Sequence, residues 1–369
     1  MKKILFMIPN LSVGGAEKVL VNLVNNMDKN KFDITVLTLF AGGVNEQFLK
    51  PHIKLKSCYK KVFRGNSQIL KMFSPQRLYN KFINEHYDII VSYLEGPTAR
   101  IVSGCTDVNT KLVSWIHIQQ DNAENASYSF KNFKEAKKCY NRFDNTVCVS
   151  EYVKNDFKRI FDFEKNIDVL YNTNETAEII RLSNEAVEEK INDDEINICV
   201  VGKVVIRKGC DRVCNIQKRL RDNGLNTHIH FLGTGPDEDF VKSFAESNNL
   251  SDSITLLGYQ TNPYKFVKKC DLFVCASLAE GFSTAATESL IVGTPVCTVD
   301  VSGMKEMLGE NNEYGIVTEN NEDALYEGIM TMITTPNMLV DYSQKALERG
   351  KIFSTEKTVK AVEDMFERL

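Results

Sequence analysis

INICVVGKVVIRKGCDRVCNIQKRLRD, residues 196–222, is the stretch that decides the fold. Its first part, Ile196–Gly202, is an apolar run of strand length. A turn carrying glycines and cations follows, and Asp211–Asp222 then reads as a helix. A strand passing through a short turn into a helix begins a parallel βαβ unit. The stretch matters because of where it stands. The residues just before it, 172–195, are acidic and hold no long apolar run, so the strand–helix rhythm starts afresh at Ile196.

Upstream, the rhythm has already run once. Strand candidates are Ile4–Pro9, Phe32–Leu39, Ile89–Tyr93, Leu112–His117, Thr146–Val149 and Ile167–Tyr171, with amphipathic stretches such as Ala16–Met27 between them. Downstream it continues through His228–Gly233, Ile254–Gly258, Leu272–Ala276 and Pro295–Val299, interleaved with helical Asp237–Ser247 and Thr284–Val292. The expectation is α/β: two Rossmann-like, doubly wound parallel-sheet domains facing across a cleft, with ligands at the carboxyl ends of the strands. At about 150 residues per domain the chain of 369 residues has room for two. The expected boundaries are 1–172, 173–354 and a last helix, 355–369.

Composition bounds the function. Hydrophobic residues make up 43% and charged residues 25%, which excludes global disorder and fibrous repeats. No apolar run approaches the ~20 residues that cross a bilayer. The opening MKKILFMIPN pairs two lysines with an apolar run too short for a signal peptide, so it reads as a first strand. Ten cysteines form no C-x-x-C pair, and with five histidines they give no metal-ligand spacing. A reduced, cytoplasmic protein with no metal is expected. The charges are unevenly shared: residues 1–170 hold 25 Lys and Arg against 17 Asp and Glu, whereas 171–369 hold 20 against 32.

Four segments carry chemistry. Gly14-Gly15-Ala16-Glu17 follows the first strand, where paired glycines let backbone N–H groups approach an anion or merely make a tight turn. The acidic residue of a dinucleotide site is missing after Phe32–Leu39, which counts against a nicotinamide enzyme. Gly202-Lys203 and Arg207-Lys208-Gly209 put three cations on a strand–helix turn, suited to a diphosphate or simply solvated. Glu280-Gly281-Phe282-Ser283-Thr284 opens a helix whose free N–H groups suit phosphate oxygens. Glu288 lies one turn beyond Thr284, within reach of vicinal hydroxyls; alternatively Glu280 and Thr284 only cap the helix. Asp237-Glu238-Asp239 has the form of a metal–diphosphate motif but reads as a helix cap. His117 ends a strand, as a site residue or as a structural hydrogen bonder.

Residues 47–84 contain nine Lys or Arg, from Lys50 to Lys81, and no Asp or Glu, interleaved with Tyr59, Val62, Phe63, Ile69, Leu70, Met72 and Phe73. Such a patch suits an anionic membrane surface, or is a solvated basic face. No nucleic-acid motif accompanies it, and the other half is acidic, so no nucleic-acid partner is expected.

Taken together, GGAE, GK-x4-KG at 202–209, FLGTGP at 231–236 and EGFSTAATE at 280–288 resemble retaining glycosyltransferases of the GT-B fold, and more narrowly glycosyltransferase family 4. Val149-Ser150-Glu151, Leu170-Tyr171-Asn172 and Gly293-Thr294-Pro295-Val296 support the resemblance. Lys203 stands where the family usually has Arg, and Ser289 where Ala is usual. The resemblance implies a hexosyltransferase-type enzyme that moves a hexose or N-acetylhexosamine from a UDP-type nucleotide sugar to a lipid-linked or oligosaccharide acceptor, with no cofactor. Lys203 and Lys208 would hold the donor diphosphate with Ser283 and Thr284. Gly15, Gly233, Gly281 and Phe282 would shape the donor site, and Glu288 would bind the ribose. Glu280, His117 and Lys208 would act at the reacting centre, with His117 beside the reacting sugar or the acceptor. A non-catalytic partner subunit and a sugar-nucleotide epimerase of the same fold are the alternatives.

Overall fold

The structure, a computed structural model, describes residues 1–12, 14–188 and 191–369. It divides into two compact units, Met1–Thr173 with Thr355–Leu369, and Asn174–Ser354.

In the first unit seven strands form one sheet: β1 (Lys2–Ile8), β2 (Phe32–Phe40), β3 (Lys54–Tyr59), β4 (Ile89–Tyr93), β5 (Lys111–Ile116), β6 (Asn145–Cys148) and β7 (Ile167–Val169). Their order is β3-β2-β1-β4-β5-β6-β7, and the pairs are parallel. Parallel sheets are covered on both faces, so their central strands are apolar throughout rather than alternating. Ile4–Ile8 and Ile89–Tyr93 are buried at every position, as that demands. β3 escapes sequence reading because it is an edge strand, KLKSCY, exposed over most of its length. The last helix, Thr355–Arg368, packs within this unit. Phe366 lies edge-on to Phe6 and Phe32, with ring centroids at 5.8 and 6.3 Å, and Lys2 Nζ donates to the Phe366 carbonyl at 2.7 Å.

The second unit carries β8 (Ile196–Val201), β9 (Thr227–Leu232), β10 (Ile254–Gly258), β11 (Leu272–Cys275), β12 (Val296–Val299) and β13 (Ile316–Thr318). The order is β10-β9-β8-β11-β12-β13, again parallel. The acidic stretch 172–195 contains a helix, Thr176–Ser183, and its residues 189 and 190 lie outside the described residues.

Each sheet reverses its winding beside its first strand, between β1 and β4 and between β8 and β11. At such a switch point the loops leaving adjacent strands diverge to opposite faces and leave room for a ligand. In the first unit those loops start the helices Gly15–Asn26 and Pro97–Val102. In the second they are residues 202–209 and 276–283.

Candidate active site

The loop after β8 is knitted to its neighbours by backbone contacts. Val204 N–H donates to Thr234 O at 3.1 Å, and Asp237 N–H donates to Val204 O at 3.2 Å. Gly233 sits against the Gly202 carbonyl so closely that a Cβ there would overlap it. Asp237 does not cap the following helix with its side chain, as the sequence reading expects; its Oδ2 accepts from Ile206 N–H at 2.8 Å instead. Asp237 is therefore spent on holding the basic loop, while Glu238 and Asp239 stand in the first turn of the helix. At the loop's far end Gly209 has φ +77°, and a Cβ would overlap the carbonyl of Ala276, just beyond β11. The two switch-point loops thus touch through a glycine. Gly209→Ala is expected to lose about 2 kcal/mol or more, from left-handed strain plus overlap, read as a lowered urea midpoint with unchanged slope.

The contact brings a charged set together. Gly202, Lys203, Lys208, Cys275, Ser277, Glu280 and Ser283 line one small pocket. Lys208 Nζ donates to Glu280 Oε1 at 2.6 Å, and Ser277 Oγ donates to the same oxygen at 2.6 Å. With the Cys275 thiol at 3.9 Å, three donors on one oxygen orient the carboxylate and leave Oε2 for other partners. Ser283, not Glu280 or Thr284, caps the helix Thr284–Val292, its Oγ accepting from Ala286 N–H at 3.2 Å. The helix N-terminus carries positive partial charge toward this side. Gly281 lies in the loop before the helix, and Phe282 is anchored against Phe353 at 5.8 Å. Thr284 is the first helical residue, and one turn on Glu288 is 9% exposed, accepting from the Tyr264 hydroxyl at 3.2 Å. Eight of the nine residues of unit two named from sequence leave β8 or β11 at this switch point, with Lys203, Lys208, Glu280 and Ser283 on the pocket wall, and Gly233, at the end of β9, abuts Gly202.

Gly15 and His117 belong to the other unit. Gly15 is the first helical residue after Gly14, and the Glu17 carboxylate folds back against Gly14. His117 follows β5 directly and is 5% exposed. Burial holds its imidazole down to about 3, so it is neutral. It lies in an aromatic cluster, with ring centroids 4.6 Å from Tyr93 and 6.2 Å from Trp115. Sequence reading missed Glu95, whose carboxylate accepts from the N–H groups of His117 and, at 2.8 Å, Ile118. No motif marks it; its partners are main-chain groups just beyond another strand, β5.

The basic segment is narrower than its charge count. Lys54 pairs with Asp33 at 2.7 Å and Lys56 with Glu85 at 2.6 Å. Lys50 donates to the Asn25 carbonyl at 3.2 Å and Lys81 to the Tyr59 hydroxyl at 3.3 Å. Of the other five, Lys60, Lys61, Arg64 and Lys71 fall in the same stretch of chain as exposed Val62, Ile69, Met72 and Phe73. No described helix is long and apolar enough to cross a membrane. Among the described residues no group of three or more His, Cys, Asp or Glu could hold a metal ion.

Comparison with known proteins agrees with this architecture. The family described as Glycosyltransferase Family 4 matches residues 13–177, and that described as Glycosyl transferases group 1 matches residues 183–349. Two parallel α/β units agree with the GT-B fold, and the two family matches together place the chain among the group 1 / family 4 glycosyltransferases. It is 26% identical over 368 residues to the N-acetylgalactosamine-N,N'-diacetylbacillosaminyl-diphospho-undecaprenol 4-alpha-N-acetylgalactosaminyltransferase of Campylobacter jejuni, covering 97% of each chain. Over 169 residues it is 26% identical to the capsular polysaccharide biosynthesis glycosyltransferase CapM of Staphylococcus aureus, 44% of this chain and 43% of that one. Among solved structures, Anabaena Alr3699/HepE in complex with UDP shares the fold with a TM-score of 0.78 at 16% identity, covering 100% of both chains.

Proposed function

We propose that the protein transfers a hexose or N-acetylhexosamine from a UDP-sugar to a lipid-linked or glycan acceptor in cell-surface polysaccharide synthesis, with retention of configuration and without a metal. The observation that carries this is the pocket at the second switch point, where Lys203, Lys208, an oriented Glu280 and a helix N-terminus converge. The Campylobacter relative, named for a diphospho-undecaprenol acceptor, supports the lipid-linked acceptor. The UDP complex of the Anabaena protein supports the nucleotide.

The chemistry follows from charge. Glycosyl transfer passes through an oxocarbenium-like state as the nucleoside diphosphate leaves. The departing diphosphate gains negative charge, and Lys203, Lys208 and the N-terminus of Thr284–Val292 are the positive groups that stabilise it. They supply what a divalent cation supplies elsewhere. Ser277 and Lys208 fix Glu280 so that its second oxygen meets a sugar hydroxyl. Glu288 accepts from the ribose. No carboxylate is placed as a covalent nucleophile, so same-face attack with the leaving phosphate as base is the working mechanism. His117, neutral, takes a hydroxyl of the reacting sugar or the acceptor. The surface of Lys60, Lys61, Arg64 and Lys71 with Val62 and Met72 rests on the anionic inner face of the cell membrane, each near-surface cation adding ~1 kcal/mol.

The test is thermal unfolding with UDP, GDP, ADP and CDP, each with and without EDTA. A nucleotide at ~100 times its dissociation constant adds ~2.7 kcal/mol, a rise of a few degrees. UDP is expected to give that rise with EDTA present. A rise that EDTA abolishes contradicts metal independence, and no rise with any nucleotide contradicts the donor site.

A further inference from the structure

The exit of β4 is built unusually. Leu94 has φ +151° and Gly96 φ +91°, so the chain turns sharply around Glu95. A non-glycine residue in that region is strained and persists only where surrounding contacts enforce it. The turn aims the Glu95 carboxylate sideways at the next strand's exit, where it accepts from two successive N–H groups, those of His117 and Ile118. No cation is among the groups that act on it. The titratable groups around it are the Tyr140 hydroxyl, from the helix Phe133–Tyr140, and the Cys148 thiol on β6, both held neutral by burial. Burial pushes Glu95 itself up to about 7, against the pull of those N–H groups. A half-buried carboxyl is a costly way to satisfy two main-chain donors.

What the carboxylate fixes is a residue with an unspent polar atom. Among the described residues His117 Nε2 has no hydrogen-bond partner, and neither do Tyr93 Oη and Trp115 Nε1 in the same aromatic cluster. Tyr93 is 0% exposed and Trp115 3%. Buried polar atoms are nearly always paired, so three orphans on touching rings at the carboxyl edge of a sheet point to a polar group that joins them there. We propose that Glu95 is the positioning residue of His117: its carboxylate pins the backbone at 117–118 and so holds the imidazole, with Nε2 available, in one orientation for sugar transfer. The inference rests on the role given to His117 under the proposed function.

The experiment measures kcat and donor KM from pH 5.5 to 8.5 for the wild type, Glu95→Gln, Glu95→Ala, His117→Ala and the double alanine variant. Misplacing a reacting group by about 1 Å costs on the order of 100-fold. Glu95→Ala is expected to lose kcat by about that factor with donor KM unchanged, because the donor pocket lies on the other unit. Glu95→Gln is expected to recover most of kcat, since its amide oxygen still accepts, and to lose the ionisation near pH 7. The double variant is expected to be no worse than His117→Ala alone. Full activity in Glu95→Ala beside an inactive His117→Ala overturns the positioning role only. Full activity in His117→Ala overturns the reading of His117, and the proposal with it. If Glu95→Ala does not fold, the pH profile of Glu95→Gln decides: an unchanged ionisation near 7 overturns the proposal.

Discussion

Lys208→Ala is expected to lower kcat by about 100- to 1,000-fold, as the loss of one preorganised donor to developing charge does elsewhere. Lys208 lines the pocket proposed for the donor and is the 2.6 Å partner of Glu280, so on that proposal one substitution removes a diphosphate cation and loosens the carboxylate beside it. Its side chain is 38% exposed, which makes the substitution tolerable to the fold. The loss belongs to the transition state, so steady-state kinetics should show it mainly in kcat, with a smaller rise in donor KM. Lys208→Arg is expected to restore charge but not geometry, since a planar fork does not replace a point charge. A Lys208→Ala enzyme within threefold of the wild type contradicts the assigned role.

Arg100→Met is expected to cost about 3–5 kcal/mol, a large part of a typical total stability. Arg100 is 1% exposed. Its guanidinium binds Glu135 through Nε and Nη2, both at 3.0 Å, and donates to the carbonyls of Leu70 at 2.9 Å and Phe73 at 2.7 Å. Truncation leaves the half-buried Glu135 carboxylate with the Lys131 N–H but no counter-charge, and two carbonyls without this donor. The residues it ties down, Leu70 and Phe73, lie within the basic apolar segment 47–84, so the same variant should weaken binding to vesicles of anionic lipid. Chemical denaturation and vesicle co-sedimentation read the two effects separately. A midpoint unchanged from wild type contradicts the structural role.

The fold was legible where periodicity and burial agree. Thr284–Val292 reads correctly end to end because a serine cap precedes it and a left-handed glycine, Gly293 at φ +84°, stops it. The central strands read correctly because burial on both faces leaves them apolar. β3 and β13 did not, being an exposed edge strand and a three-residue strand. In the site, Lys203, Lys208 and Glu280 were legible because cations and glycines cluster at strand exits. That Lys208 and Glu280 are bonded across 72 residues was not, since it depends on β11 lying beside β8. Asp237 was misread because a first-turn acid usually serves its own helix, and here it serves a loop on the neighbouring strand. Glu95 was invisible for the same reason: its partners are backbone groups brought close only by the pairing of β4 with β5.

The most direct measurement incubates the protein with UDP-hexoses and UDP-N-acetylhexosamines, with and without a short-chain polyprenyl-diphosphate-linked sugar, and follows both UDP release and acceptor mass. The predicted result is UDP release that depends on the acceptor, an acceptor heavier by one sugar, and loss of both in Lys208→Ala. Donor interconversion without an acceptor, or no turnover of any nucleotide sugar by a folded protein, contradicts glycosyl transfer at this pocket.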